Sequence, residues 1–463
     1  MNLDHNQLSY YPYPSQRRVM LGKRAAVATS HPLASLAGME MFAAGGNAVD
    51  AAVAMAIALT VVEPTSNGIG GDACALVWDG QIHGLNGSGK SPQGLSLETF
   101  SAATKKSDLG WATVTVPGAV ATWRKLWEQW GKLPFEQLFS PAIRHAEEGF
   151  PVSPVTALAW QQAESHYLSL DAPEYQAFQE VFFPQQRSPQ AGEIWGSPLH
   201  GKTLSAIAQT GGDSFYRGEL AEKIAKFASD TGGYLTEDDL SQHQSEWVQP
   251  LSTAYRDLRV WELPPNFQGL ATLIALNLLE GFDLKSIPYD NERRYHLQIE
   301  AMKLAFADIN RYLADPNWMT LDSETLLAAE NTQQRRQLIG EQAITDIQPS
   351  FPDRGTVYLT ACDGELMVSL IQSNYEGFGS GLLVPETGIA LHNRGSCFNS
   401  QAGHPNQFAP AKRPFHTIMP GFLTADDQPL GTFGVMGGQM QPQGHLQVLC
   451  NLADYDMNPQ TAL

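Results

Sequence analysis

Hydrophobic positions change their period along this chain, and the changes mark out its elements. Residues 45–62 (GGNAVDAAVAMAIALTVV) open on a glycine pair and on Asn47, a side chain suited to capping a helix. The run that follows is apolar on nearly all sides, which predicts a helix buried between layers. Glu63-Pro64 ends it, and a glycine-dense loop runs from Thr65 to Asp72. Ala73 to Trp78 then reads as a strand closed by an Asp79-Gly80 turn. Residues 200–245 read as helical with a break at Gly232-Gly233. His296 to Leu313 predicts a strong helix, with Met302, Ala305, Phe306, Ile309 and Leu313 at helical spacing and its charges elsewhere on the circumference. Residues 329–355 are polar and carry two prolines, so they read as a loose surface linker. At Thr356 the period drops to two. Thr356 to Cys362 (TVYLTAC) alternates, Asp363-Gly364 turns the chain, and Leu366 to Ser373 forms a second strand. A linker ends, and a central type of strand begins, at one threonine.

A chain of 463 residues suits two or three domains, or one large layered α/β fold, and 43% hydrophobic residues supply an ample core. The formal charge of −19 argues against a nucleic-acid partner, because phosphate binding needs clustered Lys and Arg. Cys74, Cys362, Cys397 and Cys450 are widely spaced and read as structural thiols. His31, His145, His404 and His445 stand alone, without metal-ligand spacing, so neither a metal nor a cofactor is expected. The N-terminus shows no apolar signal region, and the longest apolar run, Ala51 to Val62, is too short to span a bilayer. The expected setting is cytoplasmic, with no membrane partner.

The chemistry starts at Gly355-Thr356. A threonine hydroxyl is a poor nucleophile until a base takes its proton, and a threonine that becomes a chain terminus carries its own base, the α-amine. An internal threonine can create that terminus by attacking the preceding carbonyl in an N-to-O acyl shift. A glycine before it leaves the carbonyl open. Taken alone, this pattern is equally that of the many Gly-Thr pairs that begin strands.

Longer motifs decide between these alternatives. AGGNAVDAAVAMAIALTVVEPTSNGIGGDACALVWDG resembles the N-terminal signature of the γ-glutamyltransferase family, and GTVYLTACDGELMVSLIQSNYEGFGSGLLVPETGIALHNR resembles its small-subunit start. KRPFHTIMP and GVMGGQMQPQGH are similar to its later pocket motifs. The likeness covers roughly residues 20 to 455 in the right order. It implies an α+β fold, a four-layer αββα sandwich of N-terminal-nucleophile hydrolases. It also implies self-cleavage between Gly355 and Thr356 into a large subunit, residues 1–355, and a small subunit, residues 356–463. Carried over, Thr356 is the nucleophile, Ser373 the hydroxyl that supports it, and Gly437 and Gly438 the pair whose backbone N–H groups form the oxyanion hole. Thr360 falls on a hydroxyl position of the same strand and is as well explained by a polar strand face. Asn67, Gly70 and Gly71 read as a tight supporting loop. Family members continue for some tens of residues past the equivalent of Leu463, so either truncation or a missing tail is expected.

The departures from the family pattern concern the substrate. Glutamyl-specific members hold the α-carboxylate with an arginine where this chain has Ser88, and the α-ammonium with an aspartate where it has Cys397. A neutral thiol does not neutralise a buried ammonium group. Two serines become His416 and Thr417, and the residue before the F-G loop becomes Tyr375. Arg394 replaces a Gln or Glu. A guanidinium fork suits a substrate carboxylate, while an ion pair between surfaces or domains would use the same residue. His416 fits either a substrate contact or a core hydrogen bond. These features resemble the glutathione-hydrolase-like branch that includes oxamate amidohydrolases and cephalosporin acylases. The expected substrate is a small carboxylate-bearing amide, oxamate-like. The alternatives are a γ-glutamyltransferase or glutathione hydrolase, and an inactive relative kept as a scaffold.

Overall fold

The computed structural model describes residues 19–345 and 355–463. Strands β1 (Ala26–Thr29), β2 (Asp72–Trp78), β3 (Ile82–Asn86), β4 (Glu246–Val248), β5 (Leu251–Tyr255), β6 (Leu258–Glu262), β7 (Val357–Cys362), β8 (Met367–Ser373), β9 (Gly421–Ala425) and β10 (Gln428–Phe433) build two sheets. The first has the order β1-β7-β8-β2-β3-β4 and the second β10-β9-β6-β5, with antiparallel pairing throughout. Helices α1 (Pro32–Ala43) and α2 (Ala48–Val62) cover the outer face of the first sheet. Helices α3 (Gly269–Leu279) and α4 (Glu292–Tyr312) cover that of the second. The result is the four-layer αββα sandwich.

Strand alternation divides the core. On β2 and β7, Ala73, Ala75, Val77, Val357, Leu359 and Ala361 face the α1/α2 layer. Cys74 and Leu76 point the other way, and with Ile371, Phe422 and Leu263 they form the apolar filling between the sheets. Tyr358 and Thr360 share that inward face. The Thr360 hydroxyl meets Thr432 of β10 across the gap, so it ties sheet to sheet. One register therefore directs the even-numbered positions of β7, and Thr356 just before it, into the interior.

The buried helix is α2, every residue of which is enclosed. Asn47 caps it, and Asp50 returns a bond to the Asn47 N–H, completing a capping box. Two expectations need correction. The stretch 329–355 is not a loose linker throughout, because Ala329–Arg336 forms helix α5. Arg335 pairs with Asp308 of α4, and Arg336 donates to the Leu278 and Asn277 carbonyls at the end of α3. Of the rest, residues 346–354 lie outside the described residues. Nor do all the charges of α4 face outward. Arg294, Glu300 and Asp308 are buried. Each has a partner distant in sequence that the helical period could not disclose: Asn451, the Ile344 N–H and Arg335, with Lys303 one turn along the helix adding to Glu300.

Four fully buried histidines, His200, His392, His416 and His445, have pKa values below the usual range. The values fall to about 4 for His200 and to about 3 for His416 and His445, chiefly because burial penalises the imidazolium. A histidine with a depressed folded pKa gives stability that is complete above the unfolded value of 6.5 and is lost as pH falls toward the folded one. The buried Glu262 carboxyl, raised by desolvation, pulls the other way but is outnumbered. The urea midpoint is expected to drop between about pH 7 and about pH 5, and less steeply in His200→Gln. Equal midpoints across that range would contradict this account.

Candidate active site

The nucleophile candidate sits where the described chain resumes. Thr356 is only 4% exposed, and its hydroxyl donates to the Gly355 carbonyl at 2.8 Å. Ser373, at the end of β8, donates to the same carbonyl at 2.8 Å and lies 3.3 Å from Thr356 Oγ1. The Tyr375 N–H donates to Ser373 Oγ at 2.8 Å. Two hydroxyls thus converge on the carbonyl that precedes Thr356, and the Tyr375 amide orients one of them. This arrangement polarises that carbonyl and holds the Thr356 oxygen beside it, which is what an intramolecular acyl shift requires.

From Tyr375 the contacts run on to the other predicted residues. Tyr375 takes a φ of +75°, a strained value for an aromatic residue and one found where function demands it. Its ring lies under Arg394, 4.6 Å from the guanidinium carbon. Arg394 is completely buried. Its Nη1 donates to Thr417 Oγ1 at 2.8 Å and lies 3.8 Å from Cys397 Sγ. Its Nε and Nη2 are buried without a hydrogen-bond partner among the described residues. These two N–H groups form one side of the guanidinium fork, the pair that grips a carboxylate with two parallel bonds. From Thr417, the Gln268 side chain carries the network to Gly438: its Nε2 donates to the carbonyls of both. Gly437 and Gly438 have φ values of +128° and +56°, conformations that glycine adopts without steric cost. The chain Thr356–Ser373–Tyr375–Arg394–Thr417–Gln268–Gly438 is therefore one continuous set of contacts.

Ser88 and His416 stand at one remove from it. The Ser88 hydroxyl donates to Asn86 Oδ1 at 2.7 Å and accepts from Asn266 Nδ2 at 3.2 Å. His416 Nε2 meets Asp72 Oδ2 at 3.1 Å, and its ring packs on Phe267. Both side chains are engaged by protein partners. Asn67 is engaged likewise, with the carbonyls of Leu59 and Glu63 and the Gln372 amide. At Gly70 and Gly71 an added Cβ would come within 2.4 Å of the Ala390 oxygen and 2.7 Å of Asn374 Oδ1, so close backbone approach accounts for both glycines.

Sequence reasoning missed Asp72, His392 and Gln268. Asp72 is completely buried, and His416 and His392 flank its Oδ2 at 3.1 and 3.5 Å. The Gly118 N–H donates to Oδ1 at 3.1 Å. Burial alone would raise its pKa, but the neighbouring histidines and Arg394 outweigh that and bring it down to about 2. Asp72 is thus an anion, and it balances the buried Arg394 through space. A charged residue directly after Gly70-Gly71 was the available signal. His445 Nδ1 lies 2.8 Å from Glu262 Oε1, and burial lowers the pKa of the histidine to about 3 and raises that of the carboxyl. Among the described residues, no group of three or more His, Cys, Asp or Glu is placed to hold a metal. No helix there is long and apolar enough to cross a membrane.

Comparison with known proteins bears on this site. Residues 34–463 match the family model described as gamma-glutamyltranspeptidase. The glutathione hydrolase-like YwrD proenzyme of Bacillus subtilis is 34% identical over 96% of this chain and 84% of its own length. The oxamate amidohydrolase proenzyme of Klebsiella pneumoniae is 33% identical over 89% of this chain and 79% of its own. The crystal structure of cephalosporin acylase from Bacillus halodurans superposes with a TM-score of 0.93 at 51% identity, covering 98% of this chain and 84% of that one. The chain belongs to the γ-glutamyltranspeptidase family and is an enzyme, an amidohydrolase of the N-terminal-nucleophile class.

Proposed function

We propose that this enzyme is made as a precursor, cuts itself between Gly355 and Thr356, and then hydrolyses a small amide that bears a carboxylate. Two relatives are named as proenzymes, one of them for oxamate, which agrees with both halves of the proposal. In maturation, Thr356 Oγ1 attacks the Gly355 carbonyl carbon while Ser373 Oγ–H supports the carbonyl oxygen. The C–N bond breaks, the ester forms, and water releases residues 1–355. In hydrolysis the freed α-amine takes the proton from Thr356 Oγ1, which attacks the amide carbon. Gly437 and Gly438 N–H groups hold the oxyanion, the amine leaves with a proton, and water cleaves the acyl-enzyme.

The observation that carries the substrate class is the buried fork of Arg394, with Nε and Nη2 unpartnered. Leaving a buried guanidinium half-satisfied is costly unless a ligand supplies the acceptors. A substrate carboxylate does so with two charge-assisted bonds. The nearby anion, Asp72, is already engaged by His416 and the Gly118 N–H, with His392 3.5 Å away, so among the described residues this carboxylate is not open to an α-ammonium group. This weighs against the γ-glutamyl alternative, even though several relatives, 29% to 33% identical, are named glutathione hydrolases. Tyr375 and Thr417 hold the arginine, while Ser88 and His416 support the site from one remove through Asn86, Asn266 and Asp72.

Denaturing gels of purified protein are expected to show bands of about 39 and 12 kDa, the shares of 50.6 kDa on either side of the cut. Thr356→Ala should give one uncut band and no turnover; retained hydrolysis would refute its role, and an uncut wild-type band would favour an inactive scaffold. For substrate class, oxamate and a γ-glutamyl anilide are compared directly. Turnover of oxamate that falls about 10–100-fold in kcat/KM in Arg394→Lys, mainly through KM, is the expected outcome. Turnover of the anilide with none of oxamate would reject the carboxylate-amide assignment.

A further inference from the structure

Gln268 is completely buried, and it precedes α3 directly. Its amide nitrogen donates to two carbonyls from distant parts of the chain, Gly438 at 2.8 Å and Thr417. Thr417 is the residue that accepts from Arg394. The backbone adds a second grip: the Gln268 N–H donates to the His416 carbonyl at 3.0 Å, and the Asn266 carbonyl accepts from the His416 N–H at 2.9 Å. One short segment, residues 266–268, therefore clasps the loop before β9 that carries Thr417 and reaches over to the glycine pair.

We propose that Gln268 is a positioning residue for hydrolysis, and that its amide fixes the oxyanion glycines relative to the carboxylate-binding arginine. The inference rests on the assignment of Gly437-Gly438 and Arg394 in the proposed function. The physical need comes from the glycines themselves. With φ of +128° and +56°, they occupy regions where an L-residue would be strained and where glycine is free to leave. Within the turn the Met440 N–H holds the Gly437 carbonyl at 3.0 Å and the Gln441 N–H the Gly438 carbonyl, while Gln268 gives the Gly438 carbonyl a second donor and ties it to the Thr417 segment outside the turn. Together these bonds pin the turn that presents the N–H groups. A primary amide has two hydrogens on nitrogen, one for each carbonyl. The flipped amide would set its oxygen against both acceptors, so only one orientation is allowed. No other natural side chain of this length offers two neutral donors from a single atom.

A misplacement of about 1 Å at a catalytic group costs on the order of 100-fold in rate. Gln268→Leu and Gln268→Glu, matured and folded by circular dichroism, are therefore expected to lose about 10–100-fold in kcat, with KM moved by less. Affinity for a boronic acid that forms a tetrahedral adduct on Thr356 should fall in step with kcat, while affinity for the product carboxylate, which does not use the oxyanion site, should hold. Gln268→Glu has a signature that a purely structural role would not produce. Its buried carboxylate would repel both carbonyls, whereas the protonated acid donates to one. Its kcat relative to wild type should therefore rise as pH falls from about 8 to about 5.5. Maturation should proceed in both variants, since Ser373, not the glycine pair, supports the Gly355 carbonyl. Unchanged kcat in Gln268→Leu would overturn the inference. So would a loss in Gln268→Glu that is independent of pH, or folded variants that fail to mature. Hydrolysis that survives Thr356→Ala would instead sink the underlying mechanism, and that control is read separately.

Discussion

A guanidinium with no access to solvent governs the pocket. Arg394 is fully buried, stacked on one ring, bonded through Nη1 to one hydroxyl, and left with an open pair of N–H groups. Such a charge is tolerable only because an anion lies close enough to offset it. Asp72 supplies that charge. In the interior its carboxylate accepts from the Gly118 N–H and meets His416 Nε2 at 3.1 Å, and the charge of Arg394 helps to hold its pKa down. The histidines remain neutral because burial outweighs the pull of the carboxylate. The pocket is thus balanced before any substrate arrives, yet the bonding capacity of the arginine remains partly unused. On the proposed function, selectivity follows from the difference between charge and hydrogen bonding: among the described residues the cation has a counter-charge but lacks acceptors.

The sandwich brings that pocket to the nucleophile by parity. Side chains alternate along β7 and β8, so Val357 and Leu359 enter the helical layer while Thr356, Tyr358 and Ser373 take the inward side. A shift of one residue in β7 would send Thr356 into the apolar cluster around α2. The register is locked at several points: by Asp363, which bonds the N-terminal end of α2 at Ala48, by Thr360 against Thr432, and by the Tyr358–Ser369 hydroxyl pair at 2.9 Å. The two-sheet core therefore acts as a device for aiming one side chain.

Much of this architecture was legible from pattern alone, because its strongest signals are local. A run with no polar face, Ala48 to Val62, can only be buried, and a change of period at Thr356 marks a strand wherever it lies. What stayed hidden depends on partners distant in sequence. Asp308 on α4 looked like a surface charge, yet Arg335 lies on it in the fold. Helix α5 has almost no apolar face. It holds because its two arginines reach Asp308 and the carbonyls at the end of α3, contacts that no periodicity reports. The site divides in the same way. Thr356, Ser373, Arg394, Thr417 and the glycine pair were visible through motifs, whereas Asp72, His392 and Gln268 act through groups tens to hundreds of residues away.

That division has a chemical logic. Residues that touch the reacting atoms are restricted in type, since few side chains attack a carbonyl or chelate a carboxylate. Residues that hold them in place need only the right donor at the right distance, and many sequences meet that demand. Replacing an arginine by Ser88 and an aspartate by Cys397 would ordinarily leave a pocket without polarity. Here the positive charge has moved to Arg394, on a different loop, and the Ser88 hydroxyl has turned to Asn86 and Asn266. The anion that would have met an ammonium group has no counterpart facing substrate, because Asp72 is occupied. On the proposed function, a fold that keeps its nucleophile and oxyanion turn changes substrate class by moving one cation. The cost of that move falls on the buried bonds that hold the new cation in place.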